Sequence, residues 1–382
     1  MTSVSRVGTV GIVCTITMGA LVAALAGRAT VSAHDDSPAT RSWNPRAAAA
    51  YLDGRATWWA GWPNAARDHG TFCVSCHTTL SYALARPALR GPLGERAPGP
   101  AEARILDNLT TRVNMWRDVE PFYPDQIRGV PKTSESRATE AVLNALVLAN
   151  RDAQTGHLAA ETRAALGYMW ALQMRTGEVS GAWTWLNFHN DPWESPVSPY
   201  LGASLAALAI GSAPDGYAES QDIHENLTLL RGYFQREYDH QPALNRLMAL
   251  WASAKVTGLV TTEQRAALVD QTFALQQGDG GWGTASLGTY KRNDNTPLDT
   301  RSDGYATGLA TLALQRGGVT ASDARLAKGL DWLRANQDPV TGQWSASSLN
   351  KQRDPASDIG KFMSDAATAY AVLSLSQAGN VK

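Results

Sequence analysis

Two cysteines and a histidine stand close together in the segment Cys73-Val-Ser-Cys76-His77. This C-x-x-C-H spacing is the signature of covalent c-type haem attachment. The two thiols would form thioethers to the haem vinyl groups, and the His77 imidazole would be the proximal iron ligand. The motif therefore predicts one covalently bound haem c, with Cys73 and Cys76 as attachment residues and His77 as the metal ligand.

The run from Gly70 to Thr78 resembles the haem-binding segment of class I cytochromes c. Two other interpretations of the cysteine pair stay open, namely a disulfide or free thiol pair, and a site for another metal. No local pattern marks the sixth iron ligand, which the resemblance to class I cytochromes c implies is a Met downstream. The candidates for it are Met363, His189 and His69.

The N-terminal region has the features of a secretory signal peptide. Arg6 supplies positive charge, residues 10–25 are apolar, and the run ending at Ala33 offers small residues for cleavage. Such a segment is too short for a membrane span. We therefore expect residues 1–33 to be removed together with Cys14, residues 34–44 to form a polar linker, and the protein to be periplasmic or secreted. Export suits c-type haem attachment, but it also permits a disulfide.

The composition narrows the classes of partner. The net charge is -1 with 18% charged residues, which argues against binding to nucleic acid or to an anionic membrane surface. Apolar residues make up 44% of the chain, enough for a substantial core, and there are 13 Trp against 6 Phe. Tryptophan suits both buried layers and the wall of a cavity. The expected partners are a redox protein or an apolar small molecule.

Hydrophobic periodicity predicts an all-α protein in which two kinds of helix alternate. Amphipathic helices are expected near residues 45–60, 101–118, 159–175, 219–237, 261–277 and 321–337. Helices rich in small residues and apolar nearly all round are expected near 76–89, 137–150, 198–211, 243–256, 304–316 and 364–378. The alternation predicts that residues 45–382 form one α/α toroid of about six hairpins, with an outer ring around an inner one.

A Gln-to-Trp repeat recurs three times along the chain. The three copies are the run from Ala327 to Gln337 with Gly342-Gln-Trp344, the run from Gln276 to Trp282, and Gln173 with Gly181-Ala-Trp183. It resembles the QW repeat of the terpenoid cyclase and prenyltransferase superfamily, which includes squalene-hopene cyclase. The resemblance implies an α/α toroid in which each Gln lies at an outer-helix end and bonds a neighbouring segment, with the Trp packed close by.

The catalytic motifs of that superfamily do not carry over. The sequence has no Asp-x-Asp-Asp, with which class II cyclases protonate an alkene, and the expected mature chain has no Cys outside the haem motif for a prenyltransferase zinc site. Glu194, in a Pro-rich connection, and Asp303 are candidates for ligand contacts or an acid–base pair. Helix capping is the alternative for Asp303, Ser364 and Asp365, because Asp and Ser oxygens accept from free N–H groups.

The haem motif is expected to open the first inner helix, because Cys76–Ala85 has the same residue pattern as Ser364–Leu373. The haem would then lie at the mouth of the toroid. We expect Arg137 to pair with a haem propionate there, since guanidinium binds carboxylate in a bidentate manner. The void near His77 should be bordered by several of Arg137, Trp193, Glu194, Tyr305 and Met363.

Three functions follow from these patterns. The main hypothesis is an exported c-type haem protein of electron transfer, built on a terpenoid cyclase-like toroid. The first alternative is a protein that binds an isoprenoid or other apolar ligand, or a terpenoid-modifying enzyme. The second alternative is a scaffold without haem in which Cys73 and Cys76 form a disulfide.

Overall fold

The computed structural model describes residues 42–125 and 132–380, which all belong to one compact unit spanning residues 41–382. The expected signal peptide, Cys14 and most of the expected linker lie outside the described residues. Within the described part, no helix is long and apolar enough to cross a membrane.

The described residues are all-α, and their β structure is limited to two isolated bridges. The outer helices are α1 (Pro45–Gly61), α4 (Pro100–Asn114), α6 (Ala160–Ala171), α8 (His224–Glu237), α10 (Thr262–Ala274) and α12 (Ala324–Ala335). The inner helices are α2 (Thr79–Ala85), α5 (Thr133–Thr155), α7 (Ser198–Ser212), α9 (Ala243–Ser253), α11 (Gly304–Arg316) and α13 (Phe362–Asn380). A short helix, α3 (Arg90–Leu93), follows α2.

Local chemistry explains where several helices begin. The Asn44 side chain accepts a hydrogen bond from the Ala47 N–H at the start of α1, and Thr261 forms a reciprocal capping box with Gln264 at the start of α10. The first inner helix is shorter than expected: α2 ends at Ala85, and a 3-10 turn continues to Leu89. Pro87 lies in that turn and has no N–H for an α-helical bond.

The inner helices form a closed ring. Each of them packs against the next along the chain, and α13, the last, packs against α2, the first. Their side chains are buried on nearly every side, as in α7, because the outer helices cover them from without. This arrangement confirms the α/α toroid of six hairpins.

The three Gln side chains of the QW repeats join consecutive hairpins. The amide of Gln173 donates to the Gly181 and Asn226 carbonyls at 2.9 and 3.0 Å, and that of Gln276 donates to the Gly280 and Arg325 carbonyls, both at 2.8 Å. Each therefore ties its own loop to the first turns of the next outer helix. Gln337 makes the corresponding bonds to Gly342 and Asn44, at 2.9 and 3.0 Å. It thereby joins the last hairpin to the first.

The partner tryptophans are fully buried, as the repeat predicts. The indole N–H groups of Trp183, Trp282 and Trp344 donate to the Met169, Thr272 and Leu333 carbonyls at 2.6, 2.7 and 2.8 Å. These carbonyls belong to the last turn of each outer helix, where the regular i+4 donor is missing and the C-cap N–H is the other donor. Gly342 of the last repeat has φ +79°, and a Cβ there would lie 2.3 Å from the Ala47 carbonyl oxygen. Only glycine fits that approach.

Candidate functional site

The backbone around the C-x-x-C-H motif is held on both sides. The Asn108 side-chain amide bonds the Phe72 N–H and carbonyl at 2.8 and 3.0 Å, and the Cys73 N–H donates to the Ala65 carbonyl at 2.9 Å. Farther along, the Ser75 hydroxyl oxygen accepts from the N–H groups of Thr78 and Thr79, both at 3.2 Å. Ser75 therefore caps the turn that leads into α2 and fixes Cys76 and His77 within it.

Cys73, Cys76 and His77 line one cavity at the start of α2. Its empty volume, including the part open to solvent, is about 930 Å³. The walls come from α1, from the connection before α7, and from the loop that leads into α13. The aromatic members of the lining are Trp59, Phe122, Tyr123, Trp193 and Phe362.

Both cysteines are buried free thiols in this structure. Burial raises the pKa of the Cys73 thiol to about 11, and the pKa of the Cys76 thiol is raised as well, by burial and then by the negative charge of Glu194. A thiol with a raised pKa is a poor nucleophile, because the thiolate is the reactive form. The pair therefore does not have the features of a catalytic cysteine site.

The His77 imidazole is enclosed by aromatic rings. It stacks on Phe362 with ring centroids 3.9 Å apart, and it meets the edge of Trp59 at 5.0 Å and the ring of Trp193 at 5.4 Å. Burial, together with the positive charge of Arg55, lowers the pKa of His77 to about 3. The imidazole is therefore neutral at physiological pH, which is the form that ligates metals.

Hydrogen bonds connect His77 to the last inner helix. Its Nδ1 lies 2.8 Å from the Thr78 hydroxyl oxygen, and that hydroxyl donates to Asp365 Oδ2 at 2.6 Å. Asp365 Oδ1 accepts from Arg55 Nε and from the Tyr51 hydroxyl, both at 2.8 Å. Since Nδ1 is engaged in this way, Nε2 is the ring nitrogen left for a ligand.

The three candidates for a sixth ligand differ in position. Met363 is buried and lines the same cavity as His77. His189 and His69 are exposed and do not line it, and His69 Nε2 lies 3.6 Å from Asp68 Oδ2. The structure therefore brings Met363 to the motif and leaves the two histidines outside it.

Glu194 and Asp303 do not form a pair. Glu194 lines the cavity, and its backbone forms a bridge with Asn190. Asp303 does not line the cavity; its carboxylate accepts from the Tyr305 and Ala306 N–H groups at the start of α11 and from both the N–H and the hydroxyl of Thr284. These four bonds occupy the Asp303 carboxylate as a helix cap, which agrees with the capping alternative.

The expected propionate partner is also misplaced. The Arg137 guanidinium donates to the Val119 carbonyl and lies 4.9 Å over the Trp116 ring, and Arg137 does not line the cavity. Tyr305 does not line it either, because it packs against Trp193 and Tyr370 with ring centroids 5.8 and 5.3 Å away. Among the described residues, the cation that lines the cavity is Arg353, which is exposed.

Sequence reasoning missed several residues of the site. Trp59, Phe362 and Arg353 line the cavity. Thr78 is hydrogen-bonded to the His77 imidazole, and Asp365 accepts a hydrogen bond from Thr78. Phe362 could have been found from the sequence, because it is adjacent to the candidate ligand Met363. For Trp59 and Arg353 no spacing in the sequence distinguishes them from other surface or core residues.

No group of three or more His, Cys, Asp or Glu side chains is arranged to hold a metal ion within the described ranges. The site has one imidazole and two thiols next to a cavity lined by both aromatic and polar side chains. Such a set supplies attachment points and an axial ligand, whereas a bare ion would need further ligands from the protein.

Comparisons with known proteins concern the architecture. No family model matches the chain, and no curated protein matches it. Among solved structures, the ent-copalyl diphosphate synthase from Streptomyces platensis is similar, with a TM-score of 0.45, 17% identity, and coverage of 86% of this chain and 50% of that chain. The chain thus spans about half the length of that synthase. A polysaccharide lyase matches with a TM-score of 0.34 and 13% identity, over 88% of this chain and 90% of that one. Similarities this low assign no activity.

Proposed function

We propose that this protein carries one covalently attached c-type haem at the mouth of the toroid and serves in electron transfer outside the cytoplasm. The observation that carries the proposal is that Cys73, Cys76 and His77 line a single cavity. Val74 and Ser75 line it too, so the whole motif borders an open space, which attachment of a haem to its thiols and imidazole requires.

The residues fit the chemistry of the group. Cys73 and Cys76 supply two sulfurs for thioether bonds, and His77 supplies a neutral imidazole with Nδ1 already hydrogen-bonded. When bound, the haem would supply an iron that cycles between two oxidation states. The aromatic rings of Trp59, Trp193 and Phe362 exclude water around His77, and burial of this kind is one of the protein's means of setting a reduction potential.

Two further side chains of the cavity have roles under this proposal. Met363 is the proposed sixth ligand, because it lines the same cavity as His77. A Met thioether at this position tends to raise the reduction potential of the iron. Arg353 replaces Arg137 as the proposed propionate partner, because it is the arginine that lines the cavity. Electron transfer itself asks for no acid or base from the chain.

Haem attachment is tested by producing the protein in a host that matures c-type cytochromes. We expect a haem-stained band on a denaturing gel, a reduced-minus-oxidised spectrum typical of haem c, and recovery of the protein in the periplasmic or secreted fraction. Replacing both Cys73 and Cys76 by Ala should abolish the stained band. Absence of the band from the unmodified protein in a competent host would overturn the proposal.

The axial ligands are tested by single substitutions. His77→Ala should weaken covalent attachment and alter the iron spectrum, and Met363→Ala should alter the spectrum while attachment persists. His69→Ala and His189→Ala are matched controls, because both imidazoles are exposed and outside the cavity. A spectrum unchanged by His77→Ala would remove His77 as the ligand.

A second candidate function uses the same cavity for an isoprenoid or another apolar molecule. The observation in its favour is the aromatic wall formed by Trp59, Phe122, Trp193 and Phe362. Ligand pockets are mostly lined by apolar and aromatic side chains with few polar groups. Organic extraction of the purified protein followed by mass spectrometry tests it. A stoichiometric lipid in protein without haem would favour this second function over the first. If the protein also modifies the lipid, Glu194 is the carboxylate that lines the cavity.

A further inference from the structure

We propose that Asp365 is a positioning residue that acts through Thr78 to hold His77 with its proton on Nδ1 and its Nε2 lone pair free for a ligand. This inference rests on the proposed function only in naming haem iron as the group that Nε2 would bind. The arrangement of the proton itself follows from the hydrogen bonds in the chain.

The direction of the hydrogen bonds sets the position of the proton. A threonine hydroxyl has one proton and two acceptor lone pairs. The Thr78 hydroxyl lies 2.6 Å from Asp365 Oδ2, to which it donates. Its oxygen can therefore only accept from His77, 2.8 Å away, so Nδ1 carries the proton. Nε2 is then the unprotonated nitrogen.

Asp365 is kept as an acceptor by groups from the first outer helix. Arg55 and Tyr51 of α1 both donate to Asp365 Oδ1 at 2.8 Å. The rest of the Arg55 guanidinium is held by Asp358, whose carboxylate and carbonyl oxygens each lie 2.7 Å from it. The cation and the hydroxyl that donate to its other oxygen stabilise the ionised, accepting form of Asp365 against the cost of its burial.

Packing sets the orientation of the imidazole ring. Phe362 stacks on its face with an interplanar angle of 23°, and Trp59 meets it at 80°. Rotation of the ring would break this stacking and the bond to Thr78. The ring is therefore held by two independent means, and its free nitrogen remains on a residue that lines the cavity.

The network joins the first and last hairpins of the toroid. Tyr51 and Arg55 lie on α1, Thr78 precedes α2, and Asp365 lies in the first turn of α13. Closure of the ring thus brings together the residues that orient His77. A truncated chain lacking the last hairpin would retain the C-x-x-C-H motif but lose the carboxylate.

The test measures which His77 nitrogen carries the proton, by 15N NMR of the chain produced without haem maturation. We expect the proton on Nδ1 in the unmodified protein. Asp365→Asn should move it to Nε2, because the Asn amide can donate to Thr78 and turn the Thr78 hydroxyl towards His77. Thr78→Val should remove the preference for Nδ1. Asp358→Asn and Thr78→Ser are matched controls that should leave the proton on Nδ1.

The outcomes separate this inference from the proposed function. A proton on Nε2 in the unmodified protein, or one that stays on Nδ1 in both Asp365→Asn and Thr78→Val, would overturn the inference. If Asp365→Asn does not fold, Thr78→Val decides, because Val and Thr are of similar shape. If the proton moves as expected but no haem is attached in a competent host, the proposed function fails and the positioning role stands. If haem is attached, Asp365→Asn should shift its reduction potential while Asp358→Asn does not.

Discussion

The first two hairpins and the later ones are joined by different chemistry. Among the described residues, the ion pairs with a buried arginine involve Arg55, Arg86 and Arg112, all between α1 and α4, whereas Arg175, Arg301, Arg325 and Arg334 form exposed pairs. The later hairpins are joined by the neutral amides and indoles of the QW repeats. Buried charged contacts are thus concentrated among the arginines of α1 to α4, one of which, Arg55, bonds the carboxylate next to the candidate site, and neutral contacts are concentrated in the repeats.

The difference shows what each kind of contact can do. A Gln amide and a Trp indole satisfy helix-end groups with little desolvation cost, so the same contact can recur along the chain. A buried ion pair is a weak source of stability, because removing two charges from water offsets their attraction. It does fix the orientation of neighbouring groups, which the region around His77 requires.

The largest expected loss of stability comes from breaking a neutral contact of the QW repeats. Trp344→Ala should lower the free energy of unfolding by about 3–5 kcal/mol, because loss of the fully buried indole leaves a cavity and removes one of the two donors to the Leu333 carbonyl. Denaturant unfolding followed by circular dichroism measures it. Trp332→Ala is the control on the same outer helix, since that indole is only partly buried and donates to Asp279. Equal losses in the two variants would contradict the special role of the repeat.

The next effect tests the charged side. Glu140→Gln should cost about 1–3 kcal/mol, because the fully buried Arg112 loses its nearer anionic partner, 2.5 Å away, and keeps Asp68 at 3.5 Å. Replacing both residues together, Arg112→Met with Glu140→Leu, should recover most of that loss, since an apolar pair of similar volume avoids desolvation. Chemical unfolding of the three proteins gives the comparison. A double variant as unstable as the single one would indicate that the pair stabilises the fold.

A smaller effect is expected where the ring closes. Gln337→Ala should cost about 1–2 kcal/mol, because bonds to Asn44 and Gly342 are lost at a site that is partly open to water. Gln352→Ala, in an exposed loop, is the matched control and should change little. Proteolysis near residue 44 should also become faster in Gln337→Ala. An unchanged rate there would argue against a role of Gln337 in holding the first hairpin to the last.

The last effect is a dependence of stability on pH in the later hairpins. Burial raises the pKa of Asp303 to about 6, whereas Arg325 lowers the pKa of Asp323 to about 2. An unfolded Asp has a pKa near 4, so the contribution of Asp303 is complete below about pH 4 and falls as the pH rises to about 6. The contribution of Asp323 instead falls as the pH drops from about 4 to about 2.

Unfolding measured across this pH range separates the two carboxylates. The stability difference between the unmodified protein and Asp303→Asn should decrease from about pH 4 to about 6 and then stay level. For Asp323→Asn the difference should increase from about pH 2 to about 4. The same sign for both variants would show that burial does not dominate at Asp303.

Some residues of the candidate site could be predicted from their neighbours in the sequence, and others depend on contacts with residues far away along the chain. Neighbouring residues are enough to predict the C-x-x-C-H motif, its place at the start of an inner helix, and the position of Met363 next to another inner-helix start. Arg137 also lies near an inner-helix start, and this position predicts that it borders the cavity. It turns instead to Val119 and Trp116, and only the packing of α4 against α5 decides that.

The sequence by itself determined the helices, their alternation and the QW contacts. The helices depend on periodicity, and the local QW contacts depend on residues close in sequence, such as Gln337 with Gly342 and Trp344 with Leu333. The resemblance to the QW repeat implied the second bond of each Gln, to a neighbouring segment, and the structure shows which segment that is, as with Gln337 and Asn44. Only the tertiary structure decided which groups surround His77. Asp365 had the sequence features of a helix cap, yet it bonds Tyr51 and Arg55, 314 and 310 positions away along the chain. No local pattern encodes such a meeting, because it exists only once the ring has closed.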